Sequence, residues 1–253
     1  MHTLLRKLKF RSEWMISPRL RNIYKAEPDR AVLEEFGWKV ANGPFAGMPY
    51  ISRSCGSRLA PKIVGCYEHE LHSTIEQIIV GGYERIIDIG CAEGYYAVGL
   101  ARKLGVPVVA FDNNLNAHAR LKELAKLNGV DSLIELRTIC TPEDFDEFAG
   151  QRVCVICDIE GGEEALLDPV KSPALLGFDL LVEVHDGPDS TRIHDLMAER
   201  FKNSHTLKTI AYEGRGLADA AAITWISNPE LKLAAVDEQR AFGVEWLHIK
   251  RNA

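Results

Sequence analysis

The sequence predicts a Rossmann-like, doubly wound α/β fold: a mostly parallel sheet with an antiparallel strand near the C-terminus, preceded by a helical and irregular N-terminal extension. Three observations predict it. From residue 85 onward short apolar runs alternate with helical stretches, the rhythm of a parallel sheet covered on both faces. The first run ends in a turn with two glycines, Asp88-Ile89-Gly90-Cys91-Ala92-Glu93-Gly94. After residue 205 the rhythm breaks, and strand-like runs follow one another with fewer helices between them.

Taken in order, residues 1–40 read as short amphipathic helices, and 43–51 as turns flanking a short extended piece. Pro61 precedes a helix whose apolar positions Ile63, Tyr67, Leu71, Ile75 and Ile78 recur at three and four residues, one helical face. Strands are predicted at Arg85 to Ile89, Pro107 to Phe111, Leu133 to Ile139, Val153 to Asp158 and Asp179 to Val184. Helices between them begin near Tyr95, Leu115, Pro142, Glu163 and Asp189. His205 to Tyr212, Ala221 to Ile226 and Val244 to Lys250 read as the closing strands. The expected division is an extension over 1–79, able to cover a substrate or cofactor, and a sheet domain over 80–253.

A chain of 253 residues with 46% hydrophobic and 26% charged residues has the composition of a globular protein. Lys and Arg number 30 against 36 Asp and Glu, a net charge of −6 that argues against a polyanionic partner such as nucleic acid. The basic residues Arg6, Lys7, Lys9, Arg11, Arg19, Arg21 and Lys25 read as a solvated helical face. No apolar run reaches the roughly 20 residues of a membrane span, and signal-peptide features are not visible, so a cytoplasmic location is expected. The six cysteines suit a reducing compartment. Cys154 and Cys157 form a CxxC pair inside an apolar run, where strand alternation sends them to opposite faces; they read as small core residues.

The chemistry gathers at the strand ends. Glycine allows close backbone approach by a ligand, and the following helix N-terminus offers free N–H groups to an anionic group such as a carboxylate. The spacing is GxxxG with an acid two residues before its first glycine, unlike the GxGxxG of a dinucleotide fold. An acid there suits an ammonium group, so Asp88 is expected to face the methionine end of S-adenosylmethionine. Asp112, 24 residues on at the next strand tip and followed by Asn113, can accept both hydroxyls of a ribose. Thr141 reads equally as a neighbour of the adenine and as the N-cap of the helix starting at Pro142. Asp158, Glu160, Glu183, His185 and Asp186 lie at or just beyond the tips of the fourth and fifth strands, where open α/β sheets bind ligands.

The combination of Asp88-x-Gly90-Cys91-x-x-Gly94, Asp158-Ile159-Glu160-Gly161-Gly162-Glu163 and Leu180-Leu181-Val182-Glu183-Val184-His185 resembles the FkbM-type family of S-adenosylmethionine-dependent methyltransferases. The likeness covers roughly residues 80–190, and the D-x-E-G-x-E segment is its most specific mark. It implies O-methylation of a sugar, saccharide or small natural product. It further implies that Asp88, Gly90 and Gly94 hold the methionine portion, Asp112 the ribose, and Asp158 the reaction edge. Glu160 and His185 match the family's acidic and histidine positions.

In-line methyl transfer requires an acceptor oxygen to be aligned and relieved of its proton. His185 is the expected base, since imidazole titrates near neutrality, with Asp158 and Glu160 orienting the acceptor and supporting the imidazolium. Asp158, Glu183 and Asp186 offer oxygen ligands to a divalent metal, but the acids are also needed for polar contacts to the acceptor, and no obligatory metal is expected. An NAD-dependent oxidoreductase and a noncatalytic nucleoside-binding regulatory protein are the alternatives.

Overall fold

A computed structural model describes residues 18–186, 190–216, 219–220, 223–240 and 245–252, with side chains described from residue 27 onward. The basic cluster between Arg6 and Lys25 falls outside the described side chains. So does Asp189, where a helix is predicted to begin.

A seven-stranded sheet organises the chain in the order β3-β2-β1-β4-β5-β7-β6. The strands are β1 (Arg85–Ile89), β2 (Val108–Phe111), β3 (Ile134–Arg137), β4 (Val153–Cys157), β5 (Asp179–Val184), β6 (His205–Ala211) and β7 (Glu245–Arg251). The first five are parallel, and β7 runs antiparallel to both of its neighbours, β5 and β6. The predicted doubly wound sheet with a late antiparallel strand is therefore the observed one. The antiparallel strand lies inside the sheet, with β6 at its edge.

Helices α1 (Pro18–Phe36), α2 (Leu59–Val64), α3 (His72–Ile79), α4 (Tyr95–Leu104), α5 (Leu115–Leu127), α6 (Pro142–Asp146), α7 (Glu163–Leu166), α8 (Arg192–Phe201) and α9 (Pro229–Val236) surround it. Alternation along the strands divides the core in two. Ile86, Val108, Ala110, Cys154, Ile156 and Leu181 face α2 to α5, whereas Ile87, Val109, Phe111, Val155, Cys157 and Val182 face α6 to α8. Cys154 and Cys157 thus sit in opposite layers, both fully buried and free, as packing residues.

Three details depart from the sequence reading. Residues 18–36 form one helix that runs on through Pro28 and stops before Gly37, where φ is +67°. The stretch 59–79 is two helices separated by a 3-10 turn. At Gly65 a Cβ would fall 2.2 Å from the Asn42 carbonyl oxygen, so the chain turns left-handed there and α2 stops. Ile63, Tyr67, Leu71, Ile75 and Ile78 are nonetheless all buried; their spacing reported a common core rather than one helix. Residues 223–226, predicted as a strand, are not one; Ala221 and Ala222 lie outside the described residues.

Val32, Val40, Phe45, Met48 and Tyr50 of the N-terminal segment belong to the same apolar cluster as Ile86, Val98 and Leu100. The segment therefore shares the core of the sheet. Among the described residues no helix is long and apolar enough to cross a membrane.

Candidate active site

Register sets the site. Ile89 is level with Phe111 on one side and Cys157 on the other, and Cys157 with Val182. Gly90, Asp112 and Asp158 consequently leave the sheet in one row, level with Glu183 inside β5, along a cleft of about 1280 Å³.

Asp88 lines this cleft although its side chain is buried. Burial pushes its carboxyl up to about 7, opposed by the Ala97 backbone N–H and reinforced by the charge of Asp112. Its Oδ2 has no hydrogen-bond partner in the protein, a costly state for a buried carboxylate. At Gly90 φ is +81°, and a Cβ would lie 1.7 Å from the Asp158 carbonyl oxygen. Gly90 and Cys91 both donate their N–H to the Phe111 carbonyl oxygen, at 2.9 and 3.0 Å. Cys91 lines the cleft. Gly94 is not among its lining residues; at φ +92° it is the N-cap of α4, packed against Leu121 and Val98.

Asp112 and Asn113 line the neighbouring wall. The two Asp112 oxygens accept backbone N–H groups, Oδ2 from Ala92 at 2.8 Å and Oδ1 from Asn114 at 2.7 Å, so the acid also ties the glycine turn to the tip of β2. Each carboxylate oxygen retains a second lone pair for a ribose hydroxyl. Thr141 closes a capping box with Asp144 and is not among the cleft's lining residues; Thr138, Ile139 and Cys140 occupy that wall. Of the two readings of Thr141, the structure displays the helix cap.

At the other end His185 stands among four carboxylates. Its Nδ1 lies 2.7 Å from Glu163 Oε1, and its Nε2 lies 3.6 Å from Asp158, 3.5 Å from Glu160 and 3.5 Å from Glu183. Burial lowers the imidazole pKa, but the hydrogen bonds and charges of Glu163 and Glu183 outweigh it and the net shift is upward. Asp158 is also shifted upward, by burial and by the adjacent Glu183 carboxylate. The structure separates Asp186 from this group. Its carboxylate accepts the N–H groups of Ile193 and His194 at the start of α8, which makes it a helix cap and not a member of an oxygen cage.

The N-terminal segment roofs the cleft. Tyr67 and Glu68 line it, and the Glu68 carboxylate accepts a hydrogen bond from the Tyr96 hydroxyl and pairs with Arg240, which also pairs with Glu183. Inside the glycine turn, Glu93 is fully buried and bound by Lys62 Nζ at 2.5 Å, the Tyr50 hydroxyl at 2.7 Å and the Cys55 N–H at 2.8 Å. Burial would raise the Glu93 carboxyl, but the neighbouring Lys62 and these hydrogen bonds hold it below the usual carboxylate range. Sequence reasoning missed Glu93, Lys62 and Arg240, whose partners are distant in the chain and carry no local pattern. Ala92, Glu68 and Glu160, at φ +48°, +47° and +57°, are non-glycine residues in the left-handed region, and all three line the cleft.

No protein-family model matches the chain, and no curated protein matches it. Solved structures do. A human methyltransferase 10 domain containing protein superposes with a TM-score of 0.51 over 90% of this chain and 96% of its own, at 12% identity. The O-methyltransferase TomG from Streptomyces achromogenes, solved with SAM, gives 0.47 over 74% and 81% at 15% identity. An O-methyltransferase from Bacillus cereus, solved with SAH, gives 0.47 over 74% and 82% at 12% identity. At these identities the likeness is one of fold.

Proposed function

We propose that this chain is a class I methyltransferase of the FkbM type that uses S-adenosylmethionine to methylate a hydroxyl of a sugar, saccharide or small natural product. The observation that carries the reading is the buried Asp88 carboxylate, unpartnered at Oδ2, on a residue that lines the same cleft as the Gly90 turn and Asp112. An ammonium group answers the orphaned oxygen, Gly90 and Cys91 line the cleft beside it, and Asp112 has lone pairs for two ribose hydroxyls. A dinucleotide's pyrophosphate would place negative charge beside that acid, which weighs against the NAD-dependent reading.

The cofactor supplies a methyl group on a sulfonium, to be displaced in line by the acceptor oxygen. Asp158 and Glu160 orient the acceptor. His185, its ring fixed by the Nδ1 contact to Glu163, takes the hydroxyl proton at Nε2, the nitrogen that faces Asp158 and Glu160. The surrounding carboxylates favour the imidazolium, so the sulfonium charge brought in by the cofactor has to offset them for the ring to act as a neutral base. The intact acids and histidine support an enzyme over a noncatalytic nucleoside-binding protein.

The test has two arms. S-adenosylhomocysteine should raise the melting temperature where NAD does not, and Asp112→Ala should weaken S-adenosylhomocysteine binding in calorimetry. Labelled methyl should pass from S-adenosylmethionine to a member of a panel of nucleotide sugars, saccharides and small metabolites. Stabilisation by NAD alone would sink the proposal.

A further inference from the structure

We infer that Asp158, Glu183 and His185 form a binding site for one divalent cation of the manganese class. The sequence reading expects no obligatory metal; the three-dimensional grouping argues otherwise. One oxygen of Asp158, one of Glu183 and a ring nitrogen of His185 all lie within 4.8 Å of one another. Ligands about 2.1 Å from a common octahedral ion stand roughly 3 Å apart when adjacent and 4.2 Å when opposite. The observed 3.5 and 3.6 Å separations from His185 Nε2 are close to that spacing and too long for good hydrogen bonds.

One feature beyond the grouping points to a ligand: Asp158 Oδ1 is shielded from solvent and has no hydrogen-bond partner. The charge is also unbalanced. Asp158, Glu160, Glu163 and Glu183 surround one imidazole, and the guanidinium that reaches Glu183 is Arg240, which is shared with Glu68 and Glu238. A dication offsets this excess where one imidazole does not.

Glu163 holds Nδ1 and so presents Nε2 outward, the carboxylate–histidine–metal arrangement that orients a ligand and raises its basicity. Two carboxylates and one imidazole suit manganese better than magnesium, which takes imidazole poorly. With Nε2 on the ion, His185 is a ligand in place of the metal-free base role, and the proton of a coordinated acceptor hydroxyl goes to the exposed Glu160, 3.5 Å from Nε2. A carboxylate is basic enough for a hydroxyl acidified by a metal. The site therefore selects acceptors that offer an oxygen to a hard cation, such as a sugar diol. That selectivity rests on the methyltransferase reading, whereas cation binding does not.

Cation binding is tested on the full-length chain by titrating Mn²⁺ and following its paramagnetic resonance signal, with S-adenosylhomocysteine affinity measured in parallel by calorimetry. One Mn²⁺ per chain is expected. Asp158→Asn and His185→Ala should each weaken it by about tenfold or more. Absence of binding at millimolar Mn²⁺, or binding unchanged in both variants, overturns the site. Should either variant fail to fold, electron spin echo on the wild-type protein decides: modulation from a coordinated imidazole nitrogen supports the site, and its absence refutes it. Mn²⁺ bound as expected in a protein that ignores S-adenosylhomocysteine would sink the proposed reaction and leave the cation site standing.

Discussion

Lys62 Nζ lies 2.5 Å from Glu93 Oε1, with both side chains buried, so a residue of the N-terminal segment neutralises an acid inside the glycine turn. A charge removed from such a pair leaves the other desolvated and alone, which typically costs about 3–5 kcal/mol. Lys62→Met should therefore lose stability of that order in urea denaturation. Lys62→Met with Glu93→Gln should lose less than the two single changes together, because the uncharged carboxamide can still accept the Cys55 N–H at its oxygen and donate its NH2 to the Tyr50 hydroxyl oxygen. Additive losses would show that the pair does not interact as drawn.

Gly90→Ala isolates the turn itself. The new Cβ would meet the Asp158 carbonyl oxygen at 1.7 Å, on a backbone at φ +81°. Strain of this kind costs about 1–3 kcal/mol even without the clash. Loss of S-adenosylhomocysteine binding together with a lowered melting temperature is the expected outcome, and a variant with wild-type affinity would mean that the turn is not where the cofactor lies.

The sheet was legible because its signals are local: apolar runs of strand length, a glycine turn and the break in rhythm after β5. Asp88, Asp112, Asp158 and His185 were legible for the same reason, since each is at or beside a strand tip that the pattern itself locates. Arg240 was not. It lies in an irregular stretch, and its partners Glu68 and Glu183 are 172 and 57 residues away. Asp186 lines the cleft as expected, but adjacency to His185 says nothing about which way a side chain turns, and the N–H groups of Ile193 and His194, seven and eight residues on in the first turn of α8, engage its carboxylate. Thr141 shows the same limit, where local capping describes the side chain and the cleft wall is built from the three residues before it.

Asp88 predicts a pH dependence whose sign follows from its burial. Its carboxyl titrates at about 7 in the folded chain and near 4 when unfolded, so between these values the folded state holds a proton that the unfolded state has released. Stability from this group is thus lost as pH rises from about 4 to about 7. Cofactor binding runs the other way, because an ammonium group prefers the ionised acid. S-adenosylhomocysteine affinity should climb by up to about tenfold per pH unit below 7 and flatten above it. Asp88→Asn should remove the slope; calorimetry that finds the slope unchanged in this variant would assign it to another group.

His185 carries the last prediction. Its ring lies beside Asp158 and Glu160, is held by Glu163 and makes neither a hydrogen bond nor an ion pair with Asp88 or Asp112, so His185→Ala should leave S-adenosylhomocysteine affinity near the wild-type value. General-base assistance contributes about 10²–10⁴-fold, and kcat should fall by that order while circular dichroism and the melting curve show an intact fold. A packing histidine behaves differently, since its loss lowers activity only in proportion to the protein unfolded. Chelation then divides the two chemical roles. A base working without a metal keeps the wild-type rate in EDTA, whereas a metal ligand loses it and regains it with Mn²⁺. A folded His185→Ala protein with near-normal kcat excludes both roles and transfers the chemistry to the surrounding carboxylates.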